Sequence, residues 1–202
     1  MIDPHVTDEA LMIRFQQGDR TAFAALVKRH KTPLFNFALR QIRVRTTAED
    51  VVQETFVRVV QNVADFKHEA RFTTWLYTIA RNLCIDHLRK GALRKHPSLD
   101  ATHSSQDDGG PTLGEQTADA RANVERDATA GELRVRIASA VETLPDDQRE
   151  VFLMREVANL AFKEIAQITG VPENTVKSRM RYALERLQSA LSEYEEYARA
   201  LK

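Results

Sequence analysis

The chain has 202 residues, and its 29 lysines and arginines balance its 29 aspartates and glutamates, so its formal net charge is zero at pH 7. Hydrophobic residues make up 43% of the chain, with only seven glycines and six prolines, which favours a globular helical protein over a β-rich one. No apolar run is long enough to cross a bilayer, and the N-terminus lacks a signal peptide pattern, so we expect a cytoplasmic protein. Cys84 is the only cysteine, which excludes an internal disulfide and a multi-cysteine zinc site.

The zero net charge conceals a partition along the chain. Residues 1–95 carry 16 basic and 10 acidic side chains (+6), residues 96–131 carry 2 and 7 (−5), and residues 132–202 carry 11 and 12 (−1). A basic block followed by an acidic connector indicates one surface that faces a polyanion, within a protein that is not basic throughout.

The first elements are predicted from capping residues and apolar spacing. Thr7 or Asp8 caps a first helix that ends near Gly18, and Asp19 caps a second. We expect Pro33 at the start of a further helical segment, or at a kink before it.

Two longer helices follow. Thr46 or Thr47 opens a helix that runs to about Asn62, with a predicted core stripe of Val52, Phe56, Val59, Val60 and Val63. Residues 65–70 are predicted to form a loop. A second helix then runs from Phe72 to about Arg89, with the inward positions Leu76, Ile79, Ala80 and Leu83.

The composition changes abruptly after residue 95. Residues 96–118 are rich in Ser, Thr, Asp, Gly and Pro and contain few large apolar side chains, so they cannot bury enough surface to offset the entropy of ordering. We predict a flexible acidic linker over residues 96–131.

A second helical domain follows over residues 132–192, with one helix that stops at Leu144 and Pro145 and another from Asp146 to about Val157. Residues 193–202 are predicted to be a polar tail, and the fold class is all-α with two small helical domains.

The end of the second domain has the pattern of a helix-turn-helix. Two short helices are joined at Gly170, Val171 and Pro172, with Ala161 or Asn159 as the cap of the first. The second helix is predicted to pack inward through Val176, Met180, Ala183, Leu184 and Leu187. Its outward residues, called here the recognition face, suit contact with phosphates and base edges in a DNA groove; they are Asn174, Thr175, Lys177, Ser178, Arg179, Arg181 and Tyr182. The alternative interpretation is an ordinary solvated helix face.

Two further patterns lie upstream. Asp50, Gln53 and Glu54 are spaced to form one polar ridge on a helix whose other face is apolar. The next helix mixes aromatic residues with cations, a composition that suits the stacking of unpaired bases beside a phosphate backbone. The aromatic residues are Phe72, Trp75 and Tyr77, and the cations are Arg71, Arg81, Arg89 and Lys90. Each pattern also fits a simpler interpretation, because a polar ridge can be merely exposed and Trp75 can belong to the core.

Together these patterns resemble the sigma factors of bacterial RNA polymerase, specifically the extracytoplasmic-function group, which has only the second and fourth sigma regions. The resemblance covers roughly residues 11–94 and 133–191. It rests on Asp50-x-x-Gln53-Glu54-x-Phe56, on Phe72-x-x-Trp75-Leu76-x-x-Ile79-Ala80-x-Asn82, and on Leu144-Pro145 followed by Glu164-Ile165-Ala166 and Thr175-Val176-Lys177-Ser178-Arg179.

The resemblance implies a role for each block. It implies that a docking ridge on the β′ coiled coil of the polymerase core consists of Asp50, Gln53, Glu54 and Val57. It implies that residues 62–71 and the following helix read and open the −10 element, with the candidates Arg71, Phe72, Trp75, Arg81, Asn82 and Arg89. It also implies that the recognition face binds the −35 element. The implied partners are the β′ and β subunits, promoter DNA and an anti-sigma protein, with no catalytic residue, cofactor or metal.

Two other classes of function were weighed. A two-domain transcriptional regulator of the response-regulator output type would explain the helix-turn-helix, but not the motifs between Asp50 and Asn82. An N-terminal enzyme or ligand-sensor domain has no motif in its support. Cys84 and His87 lie one helical turn apart, and we interpret this pair as core and surface residues, not as metal ligands.

Overall fold

A computed structural model describes residues 6–67, 71–95 and 135–200, and places side chains except at 92–95 and 193–200. The first domain contains α1 (Asp8–Gln16), α2 (Arg20–Ile42), α3 (Arg45–Gln61), a single 3-10 turn (Val63–Asp65) and α4 (Phe72–Lys95). The second contains α5 (135–143), α6 (Asp146–Glu156), α7 (Phe162–Thr169) and α8 (Glu173–Ala200). No strand occurs in these ranges, which confirms the all-α fold class. The predicted linker, residues 96–131, lies outside the described residues.

The first two helices begin where their capping residues predicted. The Thr7 hydroxyl accepts a hydrogen bond from the backbone N–H of Ala10, and the Asp19 carboxylate accepts from the N–H groups of Thr21 and Ala22. Hydrogen bonds from the Thr21 side chain and from Arg14 lower the pKa of Asp19 to about 2. These bonds satisfy N–H groups that a helix leaves without partners at its start.

The predicted start of a new helix at Pro33 is wrong, because α2 is one continuous helix through this residue. The alternative prediction, a kink at Pro33, stays a prediction. Proline has no backbone N–H, so the helix loses one hydrogen bond there. Buried residues on both sides of the proline, Leu26, Leu34 and Phe37, pack into the core. This burial of apolar surface stabilises the uninterrupted helix, and it outweighs the local preference of the proline.

Helix α3 starts at Arg45, so the predicted opening at Thr46 or Thr47 lies one or two residues too late. The cap residue, Val44, makes no side-chain capping bond. Val52, Phe56 and Val59 are buried as predicted, together with a set that the prediction omitted, namely Ala48, Val51 and Thr55. Val60 was assigned to the core but is exposed, because the buried stripe is centred on a different face of the helix.

Helix α4 lies across the core of the first domain. Leu76, Ala80 and Leu83 are buried as predicted, and the helix continues past its predicted end near Arg89 to Lys95. Tyr77 packs edge-to-face on Phe37, with ring centroids 5.4 Å apart, and burial raises the pKa of its hydroxyl. These contacts fix the rotation of α4 about its axis and therefore decide which of its side chains face outward.

The second domain follows the predicted helix order, with one correction. Val176, Met180, Ala183 and Leu187 are buried as predicted, but Leu184, which was predicted to pack inward, is 49% exposed. The backbone of α8 continues as a helix to Ala200, through residues 193–200 of the predicted polar tail. Most residues in this stretch are good helix formers.

Gly170 and Gly91 give a pair of stability predictions with opposite signs. Gly170 ends α7 with φ +72°, and an added Cβ would meet no atom within 4 Å, so Gly170→Ala tests backbone strain alone. We expect Gly170→Ala to lower the free energy of unfolding by about 1 kcal/mol. Gly91 lies within α4, also with open space around it, so Gly91→Ala should raise that free energy by roughly 0.5 kcal/mol. Urea unfolding followed by circular dichroism measures both, and equal shifts would contradict the strain at Gly170.

Candidate nucleic-acid interface

The ridge on α3 is fully available to a partner. Asp50, Gln53, Glu54 and Val57 are all exposed and lie on the face of α3 opposite its buried residues. The Glu54 carboxylate accepts a hydrogen bond from Arg58 at 3.0 Å. Val57 and Val60 are 45% and 43% exposed. The ridge therefore combines acidic groups with exposed apolar surface, and Val60 is a residue that the sequence analysis had assigned to the core.

The −10 candidates on α4 do not share one environment. Arg71, Asn82 and Arg89 are exposed, and Trp75 is half-buried. Phe72 is fully buried against Phe66, with ring centroids 6.2 Å apart, so it lies in the core and offers no surface to a nucleic acid. Aromatic residues at a helix start fit either role, and a sequence pattern does not distinguish them.

Trp75 has a rigid support. Its ring centroid lies 5.3 Å from that of Phe66 and 6.4 Å from that of Phe72. Because these two phenylalanines are buried, they fix one side of the indole ring while part of the ring remains accessible. An aromatic side chain held in this way can stack on an unpaired base without losing much conformational freedom.

Two residues of α1 were missed by the sequence analysis. The Gln16 side-chain amide donates to the carbonyl oxygens of Val63 and Phe66 at 2.8 and 3.1 Å. The Glu9 carboxylate accepts from the backbone N–H of Phe72 at 3.1 Å. Both residues contact parts of the chain that are far away in sequence, so no local sequence pattern predicts these contacts.

The turn of the helix-turn-helix lies where the sequence predicted, although its second helix, α8, is long. Gly170 adopts the left-handed conformation and donates to the Ala166 carbonyl, which ends α7. The start of α7 has Ala161 as its cap residue, where the backbone N–H donates to Glu164 at 2.7 Å. The alternative cap at Asn159 is wrong, because Asn159 lies outside the helix with φ +52°.

Most of the recognition face points to solvent. The exposed members are Asn174, Lys177, Ser178, Arg181 and Tyr182, and the half-buried ones are Thr175 and Arg179. Arg179 pairs with Asp147 on α6 at 3.0 Å, which ties α8 to the domain. The Arg181 guanidinium lies 4.9 Å from the centroid of the Tyr182 ring. Lys177 pairs with Glu173 at 2.7 Å, and Arg181 lies 3.7 Å from Glu185, so each of these cations has an acidic neighbour on α8. The face therefore presents ion-paired cations next to short polar side chains.

The two domains contact each other through the candidate −10 helix. Helix α4 packs on α7, and α2 packs on α6. Arg81 donates from Nε and Nη2 to the two carboxylate oxygens of Glu150 at 2.7 and 3.3 Å. Glu164 accepts from the Thr74 hydroxyl at 3.2 Å and lies 3.6 Å from Arg71. This arrangement, called here the domain contact, leaves the Arg81 side chain only 22% exposed and that of Glu150 13% exposed.

The thiol of Cys84, which is buried next to the domain contact, is unreactive. Burial, reinforced by the charge of Glu150, raises the pKa of Cys84 to about 12, so the thiolate is negligible near neutral pH. His87 is half-buried on the same helix. The described ranges contain no group of three or more side chains placed to hold a metal ion. Within the same ranges, no helix has both the length and the apolar character of a membrane span.

Comparison with protein families identifies both domains. Residues 26–94 match the family described as Sigma-70 region 2, and residues 134–187 match Sigma-70, region 4. The first match includes the ridge on α3 and most of α4, and the second includes the helix-turn-helix. A response-regulator output protein would not account for the first match, and neither would an N-terminal enzyme domain.

Curated relatives agree over nearly the full length. The chain is 31% identical to the ECF RNA polymerase sigma-E factor of Haemophilus influenzae over 186 residues, which span 92% of this chain and 96% of the relative. It is 33% identical to the ECF RNA polymerase sigma factor SigW of Bacillus subtilis over 178 residues, which span 87% and 92%.

Two solved structures share the fold. CnrH, in complex with the cytosolic domain of CnrY, superimposes with a TM-score of 0.64 at 25% identity, over 92% of this chain and 97% of that one. The sigma factor RpoE of Bartonella quintana, in complex with the anti-sigma factor NepR, gives 0.63 at 24% identity, over 84% and 96%. With both sigma regions matched and the relatives aligned almost end to end, the chain belongs to the extracytoplasmic-function group of the sigma-70 family of bacterial RNA polymerase sigma factors.

Proposed function

We propose that this chain is an alternative sigma factor that binds core RNA polymerase, brings it to promoters with −10 and −35 elements, and performs no chemistry of its own. The observation that carries the proposal is that one chain combines an exposed acidic and apolar ridge in region 2 with an exposed basic recognition face in region 4. Its place of action would be the cytoplasm, where polymerase and chromosome are found.

The α3 ridge is the proposed docking surface for the polymerase. Val57 and Val60 would supply apolar area, while Asp50 and Glu54 would set orientation by pairing with basic side chains of the β′ coiled coil. Exposed valines beside carboxylates suit a protein partner better than DNA, because phosphates would repel this face. The β subunit would contact other parts of the chain.

Helix α4 is the proposed −10 reader. The exposed cations Arg71 and Arg89 would contact the phosphate backbone of a single DNA strand, together with the exposed amide of Asn82. Trp75 would stack on one base of that strand. A base extruded from the duplex must recover a few kcal/mol of lost stacking from the protein that receives it. Phe72 would contribute indirectly, as part of the support under Trp75.

The recognition face is the proposed −35 reader. Lys177 and Arg181 would contact phosphates or guanine edges, with Asn174, Thr175 and Ser178 near the start of α8 reading bases or positioning the helix. Arg179 is held by Asp147, so it would contact a phosphate from a fixed position. Tyr182 would lie at the edge of this surface.

An anti-sigma protein is the proposed regulator. A solved sigma factor with the same fold is bound to an anti-sigma factor, and CnrH is bound to the cytosolic domain of a second protein. The α3 ridge offers such a partner exposed apolar surface, as it would offer the polymerase. A partner on that ridge would exclude the polymerase.

The docking role predicts the effect of charge reversal on α3. Asp50→Lys together with Glu54→Lys should weaken binding to core polymerase by at least about tenfold, because two carboxylates would become like charges facing a basic partner. Binding can be measured by competition with a labelled wild-type chain. Glu156→Lys, which reverses an exposed carboxylate on α6 in the second domain, is the control and should bind nearly as wild type. Wild-type affinity of the double variant would remove α3 from the docking surface.

The −35 role predicts a change in salt dependence. Lys177→Ala and Arg181→Ala should each reduce the slope of log affinity against log salt by about one unit, for holoenzyme on a promoter with a −35 element. Lys28→Ala on α2 removes the same charge far from α8 in sequence and should leave the slope unchanged. If the two α8 variants keep the wild-type slope, the recognition face has been placed wrongly.

The domain contact predicts weak promoter binding by the free chain. Glu150→Gln should weaken the hold on Arg81, and Glu164→Gln the hold on Thr74 and Arg71. Together they should tighten binding of a −10 single strand by about tenfold at low salt, the factor expected for losing about 1.5 kcal/mol of competing charge-assisted hydrogen bonds. Energy transfer between dyes at Gln61→Cys and Gln188→Cys should fall as the domains separate. Glu156→Gln on α6 is the control, and unchanged transfer in the double variant would show that the two glutamates do not hold the domains together.

A further inference from the structure

Helix α1 forms side-chain hydrogen bonds to the turn after α3 through Gln16, and to the start of α4 through Glu9. Gln16 lies at the last turn of α1 and is half-buried. A glutamine amide nitrogen carries two hydrogens, so Gln16 can donate to Val63 and Phe66 at the same time. One side chain therefore holds both ends of the turn that follows α3.

That turn has few backbone bonds of its own. Val63–Asp65 is a single 3-10 turn, a conformation whose hydrogen bonds have poorer geometry than those of an α-helix. The Asp65 N–H donates to the Asn62 carbonyl at 3.0 Å, and the Phe66 N–H donates to the Val63 carbonyl at 3.4 Å, which is long. The two bonds from Gln16, at 2.8 and 3.1 Å, fix the two residues that this long bond joins. The end of the turn at Phe66 is therefore held by α1 as well as by the backbone.

Phe66 connects the turn to Trp75, one of the proposed −10 residues. Phe66 is buried and packs against both Phe72 and Trp75. A shift of the Phe66 backbone would therefore move the support under the Trp75 ring. Glu9 contacts the start of α4 directly, because its carboxylate accepts a hydrogen bond from the first N–H of that helix. A negative charge at this position also complements the helix dipole.

We propose that α1 is a positioning element for −10 recognition, in which Gln16 sets the shape of the turn after α3 and so helps to decide which −10 sequences the chain accepts. This proposal rests on the proposed function, since it assumes that α4 reads the promoter. Helix α1 precedes residue 26, where the match to region 2 begins, so the matched family region does not include it.

A positioning role differs from a purely structural role in what it changes. Loss of stability alone would lower initiation on every promoter by the same factor. A displaced turn would change the relative preference among −10 sequences and leave the preference among −35 sequences as it was, because the recognition face lies on another domain.

The experiment uses the full chain with core polymerase and two promoter libraries, one randomised at the −10 element and one at the −35 element, with transcripts counted by sequencing. Gln16→Glu keeps the length of the side chain but replaces the two donors with an acceptor that repels both carbonyls. We expect the ratio of preferred to disfavoured −10 sequences to fall about tenfold, the factor that corresponds to losing two hydrogen bonds at about 0.7 kcal/mol each. The −35 profile should stay unchanged.

The controls separate the possible outcomes. Gln17→Glu makes the same chemical change at the exposed neighbouring residue and should give the wild-type −10 profile. If Gln16→Glu fails to fold, Gln16→Ala removes the donors without adding repulsion and should still flatten the −10 profile. A wild-type −10 profile for the folded Gln16 variants, or a uniform loss across both libraries, would overturn the proposal. A wild-type chain that initiates from no library member would instead overturn the proposed function, and this proposal with it.

Discussion

Helix α4 is buried along one face and available to partners along the other, and the rest of the structure depends on this constraint. Leu76, Ala80 and Leu83 anchor the buried face, and the packing of Tyr77 on Phe37 fixes the rotation of the helix. With that rotation set, Asn82 and Arg89 face outward. Any substitution that lets α4 turn about its axis would destabilise the core and also move the side chains that we propose to contact DNA.

The same helix also links the two domains. Arg81 is held by Glu150 in a bidentate, partly buried pair, and this geometry gives charge-assisted hydrogen bonds of the stronger kind. The Glu150 carboxylate thus binds the Arg81 guanidinium, which would otherwise be available to a phosphate. In this arrangement the proposed −10 helix and the proposed −35 domain are not independent, and any engagement of DNA by Arg81 would require the contact to open. A polymerase that binds the two regions at separate places would supply the energy for that opening.

Local features were predictable from the sequence, and long-range features were not. The caps at Thr7 and Asp19 and the glycine turn at Gly170 are determined by neighbouring residues, and all three were predicted correctly. Continuity of α2 through Pro33 depends on burial against other helices, so a local rule failed there. The exposed positions of Val60 and Leu184 depend on which face of a helix meets the core, and apolar type alone does not determine that.

The family motifs located the candidate surfaces but did not show how they are supported. The ridge on α3 and the recognition face lie where the motifs predicted, whereas the burial of Phe72 and the engagement of Arg81 by the second domain emerge only in three dimensions. Transcription in vitro with purified core polymerase tests the central claim most directly. The account predicts that adding the chain produces RNA from promoters with a defined −10 and −35 pair. Failure to join the polymerase, or joining it without promoter-directed synthesis, would contradict the account.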